Sequence, residues 1–170
     1  MRFLLALALF GVFSFLGFSK AKALKRRLNV VEGFAVDIRQ LSILMRYKMI
    51  PVRELIQKLE GSALKDFWET LLNEMERARP LADAWRDALE KVRDGGGDFF
   101  YMADEEARVI GDFGAALGTS DLAAQRANME LALERLQAQA SALGREASQK
   151  GKVFRSLGML GGLAAAIVIW

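Results

Sequence analysis

Cysteine and histidine are both missing from this 170-residue chain. Without cysteine there is no disulfide framework and no thiolate nucleophile. Without histidine the commonest general base near neutral pH and the commonest transition-metal ligand are gone. A nucleophile–base pair would have to be a Ser–Lys arrangement, for which no supporting context is present. Proline occurs only twice, so little interrupts helical geometry. The Gly95-Gly96-Gly97 run has no Lys-Ser/Thr after it, which makes it a turn and not a phosphate-cradling loop. No stretch of useful length alternates apolar and polar residues, so strands have no signal. Enzyme is the least supported class, and no catalytic residue, metal ligand or cofactor site is assigned.

What the chain does have is apolar ends. Phe3 to Phe18 contains no charge and one polar residue, Ser14. Lys20, Lys22, Lys25, Arg26 and Arg27 follow with no acid among them. A bilayer core about 30 Å thick needs roughly 20 apolar residues in a helix. The run is at the short end, and the stems of Lys20 and Lys22 can lengthen it by snorkelling. Two readings compete. One is a cleaved signal peptide with Ala21-Lys22-Ala23 as the cleavage site. The other is a retained anchor, favoured because the cations lie on its C-terminal side and basic flanks stay in the cytoplasm. A second apolar run, Leu157 to Trp170, closes the chain, and Lys150, Lys152 and Arg155 precede it. The same rule puts the C-terminus outside, so both ends give one topology. About 14 apolar residues is short for a full span, and a re-entrant or interfacial helix stays open. Gly158, Gly162 and Ala166 repeat every four residues, either as a face for close helix packing in lipid or because glycine is common in such segments.

The net charge of +3 hides a split. All 21 acids lie between Glu32 and Glu146, and residues 29–149 carry a net charge of −6. The flanks carry nine cations and no acid. An acidic body with basic flanks is not a nucleic-acid footprint despite a pI near 9.3. It is the pattern of two membrane boundaries on one anionic-lipid side.

Between the ends the periodicity is helical. Val31, Phe34, Ala35, Ile38, Leu41 and Met45 recur at three- and four-residue steps, and this helix can continue the first anchor without a break. It should end near Lys48-Met49-Ile50, before Pro51. Pro51 fits the first turn of a helix with Glu54 near its positive end and Val52, Leu55, Ile56 and Leu59 inward. Gly61 stops it, and Ser62 is the expected cap of the next. That next helix carries Leu64, Phe67, Trp68, Leu71, Leu72 and Met75. Pro80 starts another, with Leu81, Ala84, Trp85, Ala88 and Leu89. After the Asp94–Asp98 turn comes a helix over Met102–Leu117, with Met102, Val109, Ile110, Phe113 and Leu117 as core. Gly118-Thr119-Ser120 breaks and recaps. A long helix from about Asp121 to Lys150 follows, with Leu122, Met129, Leu136 and Leu143 every seven residues and Leu133, Ala140 and Ala147 beside them. Trp68, Trp85, Phe67 and Phe113, at helical spacing, are expected in the core and not around a cofactor. Asp104, Glu105, Glu106, Arg108 and Asp112 form the densest charge cluster, whose carboxylates could serve acid–base work or hold a hard cation, but pairing of Asp104 or Glu105 with Arg108 across a solvated turn is the favoured reading. Glu74, Glu76, Arg77 and Arg79 read as a solvated face.

Five patches resemble the stage III sporulation protein AB family of endospore-forming bacteria. They are the apolar start with its basic stretch, Met49-Ile50-Pro51-Val52-Arg53-Glu54-Leu55, and Ala78-Arg79-Pro80-Leu81-Ala82-Asp83-Ala84-Trp85. The others are Ile110-Gly111-Asp112-Phe113-Gly114-Ala115-Ala116-Leu117-Gly118-Thr119-Ser120-Asp121 and Arg155-Ser156-Leu157-Gly158-Met159-Leu160-Gly161-Gly162-Leu163. The third and fourth are also similar to the cytoplasmic six-helix domain of type II secretion and type IV pilus F platform proteins. The resemblance implies an all-α antiparallel bundle of about six helices flanked by transmembrane helices. It divides the chain into an anchor at 1–24, a cytoplasmic domain at 25–152 and a second membrane segment at 153–170. It further implies a channel component between mother cell and forespore, on the mother-cell side in the outer forespore membrane. Its expected partners are other channel proteins of the same operon and a hexameric secretion-type ATPase, the AA protein. One F-like domain stands where the platform proteins have two, which predicts self-association. Arg53, Glu54 and Arg79 beside the proline turns are the expected partner contacts. The alternatives are an exported helical binding domain with its leader removed and a generic secretion or pilus platform protein.

Overall fold

The computed structural model describes residues 2–47, 51–59, 62–77, 79–119 and 121–169. For 2–10, 13–14, 46–47, 122, 151, 154–155, 157–159 and 161–169 only the backbone is described. Among the described residues there are six α-helices, one 3₁₀ turn and no strand. The helices are α1 (Arg2–Tyr47), α2 (Val52–Gln57), α3 (Lys65–Met75), α4 (Leu81–Asp94), α5 (Asp104–Ala116) and α6 (Leu122–Ile169). The chain forms two compact units, Met1–Leu28 with Ala142–Trp170, and Asn29–Ser141.

The apolar start and the amphipathic stretch behind it form one uninterrupted helix, α1. The expected end at Lys48–Ile50 lies outside the described residues, as do the Gly61 stop and Ser120. The last helix extends beyond the expected end at Lys150. α6 passes Gly151 unbroken to Ile169, because a single glycine costs a helix only about 1 kcal/mol. Among the described residues no helix is long and apolar enough to cross a membrane. Most side chains of the two terminal apolar runs are outside that description.

The Asn29–Ser141 unit is built on aromatic rings. Phe67 of α3 lies 5.0 Å from Phe34 of α1 and 5.1 Å from Trp85 of α4, ring centroid to centroid. Trp85 continues the chain to Phe113 of α5 at 5.6 Å. Phe34, Phe67 and Trp85 are fully buried. Edge-to-face pairs of this kind add about 0.5–1.5 kcal/mol each beyond their buried area. The expected aromatic core is therefore present, with Phe34 and Phe99 added to it. Around the rings, Val31, Ile38, Leu41, Leu55, Ile56, Leu71, Ala88, Ile110, Met129 and Leu136 are buried. On α6 the seven-residue seam holds at Met129, Leu136 and Leu143, but Ala132 is buried more deeply than Leu133.

Local chemistry explains the boundaries. Pro51 and Pro80 precede their helices in extended geometry and act as N-caps, one residue earlier than a first-turn position. Gly96 and Gly97 take φ of 83° and 70° after α4, a region costly for other residues. The next helix does not begin at Met102. Phe99–Tyr101 makes a 3₁₀ turn that buries Phe99, and α5 starts at Asp104. The Glu106 carboxylate accepts from the Ala103 backbone N–H at 2.6 Å, one half of a capping box. Asp121 caps α6 by accepting from Ala124 N–H at 2.8 Å.

Gly114 fixes the crossing of α4 and α5. A Cβ built there would lie 2.1 Å from Trp85 Cγ. The indole therefore rests on the bare backbone of α5, a contact that only glycine permits. The indole Nε1 has no hydrogen-bond partner.

Candidate interaction site

Two buried carboxylates organise the polar chemistry of the Asn29–Ser141 unit. The first, Asp37, sits on the inner face of α1 and is 3% exposed. Ser62 Oγ donates to it at 2.5 Å and Trp68 Nε1 at 2.6 Å. Burial raises its pKa, and the two hydrogen bonds oppose that rise. Ser62 Oγ also accepts from Leu64 N–H at 2.9 Å. Ser62 is thus not the N-cap of α3, which is Leu64. It ties the entry of α3 to α1 through Asp37.

The second carboxylate is Glu74, at the C-terminal end of α3 with a side chain 3% exposed. Lys91 Nζ donates to it at 2.5 Å and Arg77 at 3.0 Å, and Arg79 stands 3.9 Å away. The Lys91 hydrogen bond, followed by the charges of Arg77, Lys91 and Arg79, holds its carboxyl below the ordinary glutamate range. The expectation of a solvated face at Glu74–Arg79 is corrected for Glu74: three cations on the rim close over a buried acid.

One of the expected partner contacts, Arg79, belongs to this hub, and a second, Arg53, pairs with an acid beside it. Arg53 of α2 pairs with Glu76 at 3.0 Å, and Arg79 pairs with Asp87 as well as facing Glu74. Arg53 and Arg79 therefore reach acids two residues apart at the end of α3. Glu54 is exposed in the first turn of α2. The cleft beside the hub, about 690 Å³, is lined by Arg77, Arg79, Asp87, Glu90, Lys91 and Asp94, among others. The mixed signs suit a protein surface better than one small ion.

Two acids of α5 have structural roles. Asp104 pairs with Arg93 of α4 at 2.7 Å, in place of the expected Arg108 partner, and Glu106 is buried at the helix start. Among the described residues no group of three His, Cys, Asp or Glu side chains could hold a metal ion.

In the terminal unit, Lys20, Lys22, Lys25, Lys150 and Lys152 are exposed and Arg26 and Arg27 are half-buried. Lys150 donates to Glu146 at 2.8 Å. That hydrogen bond, with the nearby charges of Lys150 and Arg27, lowers the Glu146 pKa. The side chains of Arg155, Gly158, Gly162 and Ala166 lie outside the described residues. Val12, Phe15, Leu16 and Phe18 are at least half exposed, as are Val153 and Leu160.

These features define a helical bundle whose buried polar groups tie its helices together. A family model described as Stage III sporulation protein AB matches residues 2–170. The chain is also 23% identical over 157 residues to the stage III sporulation protein AB of Bacillus subtilis (strain 168), covering 90% of each chain. No solved structure matches. The chain belongs to the stage III sporulation protein AB family, and with it to the proteins of sporulation.

Proposed function

We propose that the chain is a membrane-anchored assembly component of the channel between mother cell and forespore. The start of α1 and the end of α6 are its anchors, at 1–24 and 153–170. The body, 25–152, stands in the mother-cell cytoplasm at the outer forespore membrane, with both termini on the far side. The observation that carries this reading is the side-chain order of the terminal unit. Exposed Val12, Phe15, Leu16 and Phe18 precede exposed Lys20, Lys22 and Lys25 on α1. On α6, exposed Lys150 and Lys152 precede exposed Val153 and Leu160. Exposed apolar side chains beside a cationic layer are unfavourable in water and matched to a bilayer boundary.

The body then acts as a platform for a cytoplasmic secretion-type ATPase, beside other channel proteins and a second copy of itself. Arg53, Glu54 and Arg79 form the docking edge; the Glu74 hub supports Arg79, and Glu76 holds Arg53. A photo-crosslinking residue at position 54 tests this in intact membranes of sporulating cells. Capture of the ATPase is expected from position 54 and not from position 126 on α6. Capture from neither removes the docking edge. Release of the whole protein by alkaline carbonate, or a mature mass lacking residues 1–23, would remove the anchors and leave the exported-domain reading.

A further inference from the structure

We propose that the terminal unit carries an anionic-phospholipid site, a collar of lysines contributed by both terminal helices. The proposal rests on the membrane reading above and adds the class of lipid.

Residues 20–27 of α1 and 145–152 of α6 hold eight cations and one acid, Glu146. That acid is already engaged, by Lys150 at 2.8 Å and by the neighbouring charge of Arg27. Lys20, Lys22, Lys25 and Lys152 are exposed, and no acid pairs with them among the described residues. Arg27 of α1 and Glu146 of α6 come together in this unit, the charge of the one acting on the other. From that meeting point the cations continue along each helix, to Lys25, Lys22 and Lys20 on α1 and to Lys150 and Lys152 on α6. Two basic stretches far apart in sequence therefore make one band.

The band has an apolar edge. Phe18 is 50% exposed and Val153 51% exposed, one on each helix beside the lysines. A soluble polyanion would satisfy the charges and leave these side chains in water. A lipid with a net negative headgroup satisfies both, its phosphodiester at the ammonium groups and its acyl chains against the apolar edge. Lysine suits this contact, since its ammonium is a compact three-donor charge on a flexible stem.

The test uses the full chain in phosphatidylcholine bilayers doped with spin-labelled phosphatidylglycerol or phosphatidylcholine. Electron paramagnetic resonance reads the fraction of each probe restricted at the protein. Phosphatidylglycerol should be preferred by about threefold or more at low salt, given the strength of juxtamembrane lysines. The preference should fall toward parity at about 0.5 M salt as the charges are screened. The Lys20→Gln/Lys22→Gln/Lys25→Gln/Lys152→Gln variant should show parity, and Lys58→Gln should keep the wild-type preference. If circular dichroism shows the quadruple variant to be misfolded, Lys20→Gln/Lys152→Gln replaces it, with at least half of the preference lost. Equal probe association in the wild type, or an unchanged preference in the variants, overturns the proposal and leaves the anchors standing. Loss of the preference to soluble glycerol phosphate at matched ionic strength overturns the lipid assignment in favour of a free-phosphate site. No restricted component from either probe overturns the collar and the anchors together.

Discussion

Replacing Gly114 by alanine should destabilise the protein, although alanine is the better helix former. The added Cβ would meet Trp85 Cγ, Cδ1 and Cδ2 at 2.1–2.2 Å. Carbon atoms rest about 3.5–4.0 Å apart, so the ring would have to withdraw by about 1.5 Å. It has nowhere to go. Trp85 is fully buried, with Phe67 at 5.1 Å, Trp68 at 5.6 Å and Phe113 at 5.6 Å around it. Overpacking of a tight core costs about 1–3 kcal/mol, occasionally more. The gain in helix propensity returns up to about 1 kcal/mol. A clash this deep belongs at the upper end, giving a net loss of about 2 kcal/mol. Gly111, one turn earlier on α5, is the internal control, because a Cβ there meets nothing within 4 Å. Gly111→Ala should stabilise by about 0.5–1 kcal/mol. Urea unfolding of the full chain in detergent, followed by tryptophan fluorescence, measures both. Equal shifts for the two variants, or a Gly114→Ala protein as stable as wild type, would refute the packing argument.

Asp37→Ala should cost about 1–3 kcal/mol, because it leaves the buried Trp68 N–H without an acceptor, whereas Asp37→Asn keeps an acceptor and should cost less. Burial raises the Asp37 pKa, so its contribution is greatest at low pH and is lost as pH rises through the folded value; Asp37→Asn should remove that loss from a melting-temperature profile. Glu74 behaves oppositely. Its pKa is lowered, so its stabilisation is present above the ordinary glutamate value and disappears as pH falls through the folded one, and Glu74→Gln should flatten that acid limb in the same profile. Arg53→Ala breaks an ion pair whose partners are 40% and 63% exposed; it should change stability by no more than about 1 kcal/mol. Any loss of ATPase crosslinking in this variant would then report on binding, with melting temperature as the check.

The sequence carried the apolar part of this fold plainly. Phe34, Phe67, Trp85, Ile110 and Phe113 recur at helical spacing, and such spacing marks a buried face without reference to the partner. Pro51, Pro80 and the three glycines at 95–97 marked their boundaries for the same local reason. What escaped was long-range polar pairing. Glu74 lies among Glu76, Arg77 and Arg79, where composition alone suggests solvent; it is buried because Lys91 arrives from the next helix. Asp37 did leave a signal, three residues after Phe34 and four before Leu41, on the apolar stripe. A carboxylate there requires a donor, and Trp68 supplies one from α3. Phe99 was hidden because a 3₁₀ turn is too short to show a period. Arg53 and Arg79 were picked out by their proline turns, yet the acids that hold them, Glu76 after α3 and Asp87 on α4, are not revealed by spacing along the chain.

The meeting of Trp85 with Gly114 ties two positions on different helices into one heritable choice. A relative that keeps the indole is barred from any side chain opposite it, while one that trades the indole for a smaller group gains room to fill. Drift at either place alone is penalised, and only a paired exchange is neutral. Transplanting into this chain an α5 that bears a side chain at 114 should therefore fail unless the residue at 85 changes with it.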